Sequence, residues 1–246
     1  MRTILAAYIL LFFLASCQGT TENVETGNDL YSKSFSFRPG KASRIEVQIK
    51  SNTPDRILSA SSDAPYFEFV VNNKLVSSNH RLWEFKNQTE RSMGNGGTEH
   101  TLVFEGVKKP VRGLQVVLKQ QTFPGSTLMR EKLELHSAGA SFQLNKAEGR
   151  LHFRFPAYAI DKSANQPARL TEIRMATWEK RPVTFGDRQK GNHMFYPDIL
   201  QKELVDGKQV AKGPVSIVSN GAISWVTAYE HASQDNLNGL EIGRAA

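Results

Sequence analysis

Four side chains near the end of the chain have the types and spacing that protein sites use to hold a hydroxyl-rich ligand. Trp225 and Tyr229 carry rings that can stack on a sugar, and Glu230 and His231 carry groups that can hydrogen-bond to its hydroxyls. Core packing is the alternative, and it is favoured for Trp225, which lies in an alternating apolar pattern. For Glu230 and His231 both interpretations stay open.

Two other tryptophans are further candidates for an aromatic platform. Trp83 lies between polar segments, and Trp178 is followed by a charged run that suggests a strand end. A lone tryptophan in a β-protein is more often part of the core, so exposure decides between the two interpretations.

Catalysis by this chain is not predicted from its acids. A retaining glycosidase needs two carboxyl groups about 5 Å apart, and an inverting one needs them farther apart. Glu230 has Asp235 nearby, but a strand turns successive side chains to opposite faces, so nothing brings the two acids together. No catalytic residue is assigned, and whether the chain is an enzyme stays open.

Metal and cofactor sites are not predicted either. The six histidines lack metal-ligand spacing, and the single cysteine rules out a zinc site built from several thiolates. The glycine-rich segment at 94–97 does not follow an apolar strand or open a helix, so it reads as a loop and not as a phosphate-binding turn.

The N-terminus predicts an exported, lipid-anchored protein. Arg2 precedes an apolar run at 4–14, which is shorter than the roughly 20 residues of a membrane-spanning helix. The segment Leu14-Ala15-Ser16-Cys17 resembles the lipobox of bacterial lipoproteins. This resemblance implies that residues 1–16 are a signal peptide, that Cys17 is lipidated, and that the mature protein lies in the periplasm or at the outer membrane.

The net charge of +7 does not indicate nucleic acid as a partner. Its Lys and Arg residues are scattered along alternating patterns, often beside acids, and export would separate the protein from nucleic acid. We interpret the charge as solvated surface, facing anionic lipid or cell-wall material. The partners predicted from the sequence are therefore the membrane, through the lipid, and an envelope component.

Alternating patterns predict an all-β fold. Residues 17–29 are polar and predict a flexible tether, and residues 30–246 predict a single large antiparallel twisted β-sandwich. The segment 44–50 alternates without a fault, Asn72-Asn73 and Asn220-Gly221 predict hairpin turns, and short strands recur between them. A single short helix is predicted, at 195–204.

Two stretches resemble the N-terminal domain of family 36 α-galactosidases. The first runs from Val117 to Leu135, with a strand, a Phe-Pro-Gly turn and a return strand that carries Arg130. The second is Trp225-Val226-Thr227-Ala228-Tyr229-Glu230-His231-Ala232-Ser233-Gln234, similar to an Ala-Tyr-Glu-His-Gly-Ser segment of that domain, with Ala232 in place of the glycine. The resemblance implies a supersandwich-like domain that precedes a catalytic barrel.

The resemblance implies a carbohydrate-contacting accessory domain, with a galactose-containing glycan as the expected ligand. No segment matches the family's catalytic barrel, which takes roughly 250 residues, so no catalytic Asp is transferred. The chain is then either a free-standing domain or a fragment of a longer enzyme. The alternative function is an envelope lipoprotein whose β-sandwich binds a protein or cell-wall partner.

Overall fold

The computed structural model describes residues 20–52, 65–147, 150–158, 169–175, 197–203, 207–211, 215–219, 224–228 and 240–244. All regular elements in these ranges are β-strands, and every strand pair in them is antiparallel. The predicted all-β class is therefore confirmed. The chain divides into two compact units, residues 1–161 and 162–246.

The first unit contains three sheets and a short two-stranded ladder. Their strand orders are β1-β2-β3, β6-β7-β8-β9, β12-β4-β5 and β10-β11. The strands are β1 (Glu22–Gly27), β2 (Tyr31–Phe37), β3 (Glu46–Ser51), β4 (Glu68–Val71), β5 (Lys74–Ser77), β6 (Trp83–Ser92), β7 (Thr98–Gly106), β8 (Leu114–Thr122), β9 (Met129–Ser137), β10 (Lys146–Ala147), β11 (Arg150–Leu151) and β12 (Phe153–Arg154).

Alternation along the strands builds the core of this unit. In β2, β7 and β8 every second side chain is buried, as expected for strands with one inward face. The inner faces of the β1-β2-β3 and β6-β7-β8-β9 sheets meet there, with the Phe37 and Phe104 rings 5.5 Å apart in an edge-to-face contact. The three sheets share this core, which is consistent with a β-sandwich. Each fully buried large apolar side chain stabilises it by roughly 1.5–3 kcal/mol.

The predicted turn at Asn72-Asn73 is present and joins β4 to β5. Both residues have left-handed backbone angles, with φ values of 49° and 61°. A two-residue hairpin turn of this kind needs positive φ at both positions, and asparagine tolerates it better than most residues. The turn sets the register in which Val71 lies opposite Lys74.

The predicted tether at 17–29 is wrong from Glu22 onward. Strand β1 begins there, pairs along its length with β2, and buries Val24 and Thr26. Asn28 then donates to the carbonyl oxygens of Phe123 and Ser126, at 2.7 and 2.6 Å, and so joins the β1–β2 turn to the β8–β9 turn. The segment looked like a linker because only two of its side chains face inward, and neither is large.

The second unit contains a four-stranded sheet of order β14-β13-β16-β17 and a separate pair, β15-β18. Its strands are β13 (Arg169–Met175), β14 (Pro197–Glu203), β15 (Gly207–Ala211), β16 (Val215–Ser219), β17 (Ser224–Ala228) and β18 (Leu240–Arg244). Strands β16 and β17 pair as the predicted hairpin around Asn220-Gly221 requires, although the turn itself lies outside the described residues.

Two further expectations differ from the structure. The predicted helix at 195–204 is wrong over its described part, because Pro197–Glu203 is strand β14, paired with β13. The single domain expected over residues 30–246 is divided between two units. Among the described residues, no helical segment has the length and hydropathy needed to cross a bilayer.

Candidate functional site

An ion pair lies inside the first unit, where the strand pattern would ordinarily place apolar side chains. In β2 the inward positions are Tyr31, Lys33, Phe35 and Phe37, so the lysine points into the core. It is fully buried, and its ammonium contacts Glu131 Oε1 on β9. The Glu131 side chain is 8% exposed, so water reaches this pair poorly.

Two tyrosines complete what we call the Lys33 cluster, consisting of Lys33, Glu131, Tyr66 and Tyr158. Lys33 Nζ donates to Tyr66 Oη at 2.7 Å and to Tyr158 Oη at 3.0 Å. The two hydroxyls in turn donate to the carboxylate, Tyr66 to Oε1 and Tyr158 to Oε2, each at 2.5 Å. Both hydroxyls therefore bridge the amine and the acid.

Aromatic rings surround the amine of Lys33. Its Nζ lies 4.4 Å from the ring centroid of Tyr66, 4.9 Å from that of Phe35 and 5.5 Å from that of Tyr158. These rings exclude water and leave the hydroxyls and the carboxylate as polar partners of the amine. Charged groups buried in this way need such pairing, because desolvation alone is costly.

Burial shifts the ionisation of the cluster. Desolvation lowers the pKa of Lys33, and the neighbouring Glu131 opposes that shift only in part. Desolvation raises the pKa of Tyr66 and Tyr158 well above the ordinary value, and the Glu131 carboxylate adds to the effect on both. Near neutral pH both phenols therefore keep their protons and remain hydrogen-bond donors.

The polar layer continues past the cluster along the same inner faces. Burial, followed by the Glu131 charge, raises the pKa of Tyr31 to about 12. Gln120 on β8 lies opposite Glu131 in the ladder and accepts a 2.8 Å hydrogen bond from Thr26. Tyr31 Oη and Gln120 Nε2 are buried in the same layer, and the interaction of Tyr31 with Gln120 opposes part of this pKa rise. One end of the sandwich interior is thus polar, and the other is packed with phenylalanine, leucine and valine.

The chemistry open to this cluster is internal to the protein. With Lys33 fully buried, a substrate has no access to its amine in this conformation. The four groups can exchange protons with one another, or the amine and the acid can react with each other. They do not form an open active site.

Sequence reasoning missed this cluster, although a signal was present. Lys33 occupies an inward position of an alternating strand, and Glu131 occupies the inward phase of Met129, Leu133 and Leu135. A charge of each sign at such positions predicts a buried pair when the two strands face each other. Their separation of 98 residues hides that relation from local patterns.

The sequence-predicted site residues fall largely outside the described residues. Cys17, Tyr229, Glu230 and His231 lie there, and so does Trp178. Trp83 is described, and it is not a platform: its side chain is fully buried, and its Nε1 donates to the carbonyl oxygen of Ser77 at 2.8 Å.

Trp225 lies on β17, the edge strand of the four-stranded sheet in the second unit, and is partly exposed. The register puts Trp225 opposite Val218, and Thr227 opposite Ser216, which in turn lies opposite Glu172. Directly opposed residues in a ladder share a face, so the ring lies on the same sheet face as this polar row. Glu172 and Ser216 are buried at its inner end.

The opposite face of the same sheet is apolar. Val226 lies opposite Ile217, and Ile173 lies between Ile199 and Val215. Ile199 is 63% exposed and Val226 is 58% exposed. The two faces of strand β17 therefore present different chemistry through adjacent residues.

The described residues contain no group of three or more His, Cys, Asp or Glu side chains placed to hold a metal ion. Comparisons with family models, with curated proteins and with solved structures find no significant match to this chain.

Proposed function

We propose that this chain is a non-catalytic, carbohydrate-contacting domain held at the membrane by a lipid on Cys17, of the kind that accompanies α-galactosidase-like glycoside hydrolases. The observation that carries the proposal is the face of β17 that presents Trp225 and Thr227, both partly exposed, while Ser216 and Glu172 in the row of Thr227 are buried. An aromatic ring next to an accessible hydroxyl group is an arrangement that suits a sugar, which has apolar ring faces and polar edges.

The sequence adds further polar groups directly after this strand. Tyr229, Glu230 and His231 directly follow the last residue of β17, Ala228. Such residues supply the donors and acceptors that sugar hydroxyls require. A galactose-containing glycan is the expected ligand, through the resemblance to α-galactosidases.

The Lys33 cluster gives no support to a catalytic role. It is the most strongly perturbed ionisable cluster among the described residues, and its amine is closed to solvent. Perturbed groups that serve catalysis are ordinarily found in a cleft, where they can reach a substrate. Here the perturbation comes from a closed core network.

The test combines binding and turnover. The full chain is applied to a panel of galactose-containing and galactose-free glycans, and its hydrolysis of an aryl α-galactoside is measured in parallel. We expect selective binding without turnover. Turnover that disappears in a Glu230→Gln variant would replace the binding proposal with a catalytic one, and absence of binding to every glycan would refute it.

A protein or cell-wall partner is the second candidate function. The exposed apolar side chains Ile199 and Val226 share one face with Ile173, Val215 and Ile217, and exposed apolar area of this kind is typical of a contact surface. A Val226→Asp variant that loses association with cell-envelope fractions, while Trp225→Ala keeps it, would favour this candidate.

A further inference from the structure

The Lys33–Glu131 contact joins two sheets of the first unit. Lys33 belongs to β2 in the sheet β1-β2-β3, and Glu131 belongs to β9 in the sheet β6-β7-β8-β9. Their direct contact is shielded from water by the rings of Phe35, Tyr66 and Tyr158. An amine and a carboxyl group are thus held together in a dry environment, the geometry that a condensation between them needs.

The amine can act as a nucleophile only after it has lost a proton. Burial favours the neutral form of Lys33, as it does for lysines that act as nucleophiles in enzymes. One oxygen of the carboxyl group can leave as water only if it gains two protons. The same proton transfer from Lys33 to Glu131 therefore prepares both reacting groups.

The two tyrosines provide the route for that proton. Each hydroxyl accepts from Lys33 Nζ and donates to a different oxygen of Glu131. Tyr158 can pass its proton to Oε2 while it takes one from the amine, and it ends the step unchanged. The Tyr66 hydroxyl on Oε1 is placed to stabilise negative charge that develops on that oxygen during attack.

We infer that Lys33 and Glu131 form an intramolecular isopeptide cross-link between β2 and β9. The bond that forms joins Lys33 Nζ to Glu131 Cδ, and the bond that breaks joins Cδ to Oε2. Starting from ammonium and carboxylate, the departing oxygen leaves as water with two of the three ammonium protons, and the third proton stays on the amide nitrogen. Nothing is oxidised or reduced, and no co-reactant is needed. The link would fix the two sheets together in a protein exposed to the cell envelope.

The test is peptide mapping of the full chain purified under denaturing conditions. We expect a branched peptide in which the segment containing Lys33 is joined to the segment containing Glu131, lighter by one water than the two linear peptides together. We also expect the chain not to be cleaved by trypsin after Lys33, because an acylated lysine is not a substrate for that protease. Only linear peptides from the wild-type chain would overturn the inference.

The chain offers a matched internal control. Lys119 Nζ and Glu134 Oε1 are 2.9 Å apart on neighbouring strands, but their side chains are 33% and 20% exposed, and no tyrosine hydroxyl of the described residues bridges them. We expect linear peptides for this pair in the same digest. Cross-links at both pairs would point to nonspecific chemistry during preparation and would overturn the inference.

Two variants test the assignment of groups. Lys33→Arg keeps a cation but removes the amine, so the branched peptide should vanish. Tyr158→Phe keeps the ring but removes one bridging hydroxyl, so the cross-linked fraction should fall below that of the wild type. A branched peptide that persists in Lys33→Arg, or an undiminished fraction in Tyr158→Phe, would contradict the proposed reaction. If Lys33→Arg fails to fold, the wild-type map and the Tyr158→Phe map still decide.

Discussion

At the scale of single residues, position on the strand decides whether a charged side chain is buried more than residue type does. Lys33 and Glu131 are charged, yet both take inward positions, because each supplies the partner that makes burial of the other tolerable. Lys119 and Glu134 make a similar contact on the outer face of the same sheet, where water screens it. The same two residue types therefore form a closed core network in one place and a solvated surface pair in the other.

Glu134 gives a testable prediction of how the stability of the protein depends on pH. Hydrogen bonds from Lys119, Lys132 and His136 lower its pKa to about 2, from an ordinary value of 4.5. A carboxyl group whose pKa is depressed by folding contributes stability above its unfolded pKa and loses that contribution as pH falls toward the folded value. We expect the melting temperature of the wild type to fall more steeply than that of Glu134→Gln between pH 4.5 and about 2. Parallel melting curves over this window would contradict the assignment.

At the scale of the elements, local alternation predicted some strands of the first unit and missed others. Most of the alternating segment 44–50 lies in β3, which spans Glu46–Ser51. The segment identified by its Phe-Pro-Gly turn forms the β8–β9 hairpin. Strands whose inward side chains are few or polar were not predicted. Strand β1 is one example and β14 is another, since each is fixed by pairing with a neighbour and not by its own pattern.

The β4–β5 turn gives a prediction at this scale. Asn73 has a φ of 61°, a conformation that glycine adopts freely and that a β-branched residue resists. We expect Asn73→Val to lower the free energy of unfolding by roughly 1–2 kcal/mol, measured in urea. Asn73→Gly is the matched control and should leave stability close to that of the wild type. Equal losses in both variants would mean that backbone angle is not what the turn requires.

The connection after β7 gives a second prediction, about stability at Gly106. A Cβ atom on Gly106 would overlap the carbonyl oxygen of Val111 and lie 2.6 Å from its Cγ2 atom. Overpacking of this kind costs roughly 1–3 kcal/mol, so we expect Gly106→Ala to lower the free energy of unfolding by that amount. Gly94 has open space around its Cα, and Gly94→Ala is the control expected to be neutral. A Gly106→Ala chain as stable as Gly94→Ala would contradict the tight approach.

At the scale of the whole molecule, the sequence predicted the fold class but not its division. The two compact units were not foreseen, because alternating strands continue through both and the short polar run at 161–168 was not recognised as a boundary. Of the proposed binding residues, Trp225 can be placed by the structure, and it lies opposite Val218 on a face that also has the polar neighbours Thr227, Ser216 and Glu172. Those neighbours, Glu172 and Ser216, became identifiable only through strand register.

A lipid anchor on Cys17 predicts in which cell fraction the protein is found. Cys17 is the only cysteine, so replacing it removes the only thiol that can accept the lipid. We expect Cys17→Ser to shift the protein from the membrane fraction to the soluble fraction on cell fractionation, while Thr20→Ser stays with the membrane. A Cys17→Ser protein that remains fully membrane-bound would rule out the anchor.

The carbohydrate proposal depends on one face of strand β17, and adjacent residues of that strand test it most directly. Trp225 and Val226 point to opposite faces, so their alanine variants change the same strand on different sides. The measurement is calorimetric titration of the full chain with a galactose-containing oligosaccharide. The account predicts that Trp225→Ala weakens binding at least tenfold, about 1.4 kcal/mol, while Val226→Ala binds as the wild type does. Unchanged binding in Trp225→Ala, or a loss confined to Val226→Ala, would contradict it.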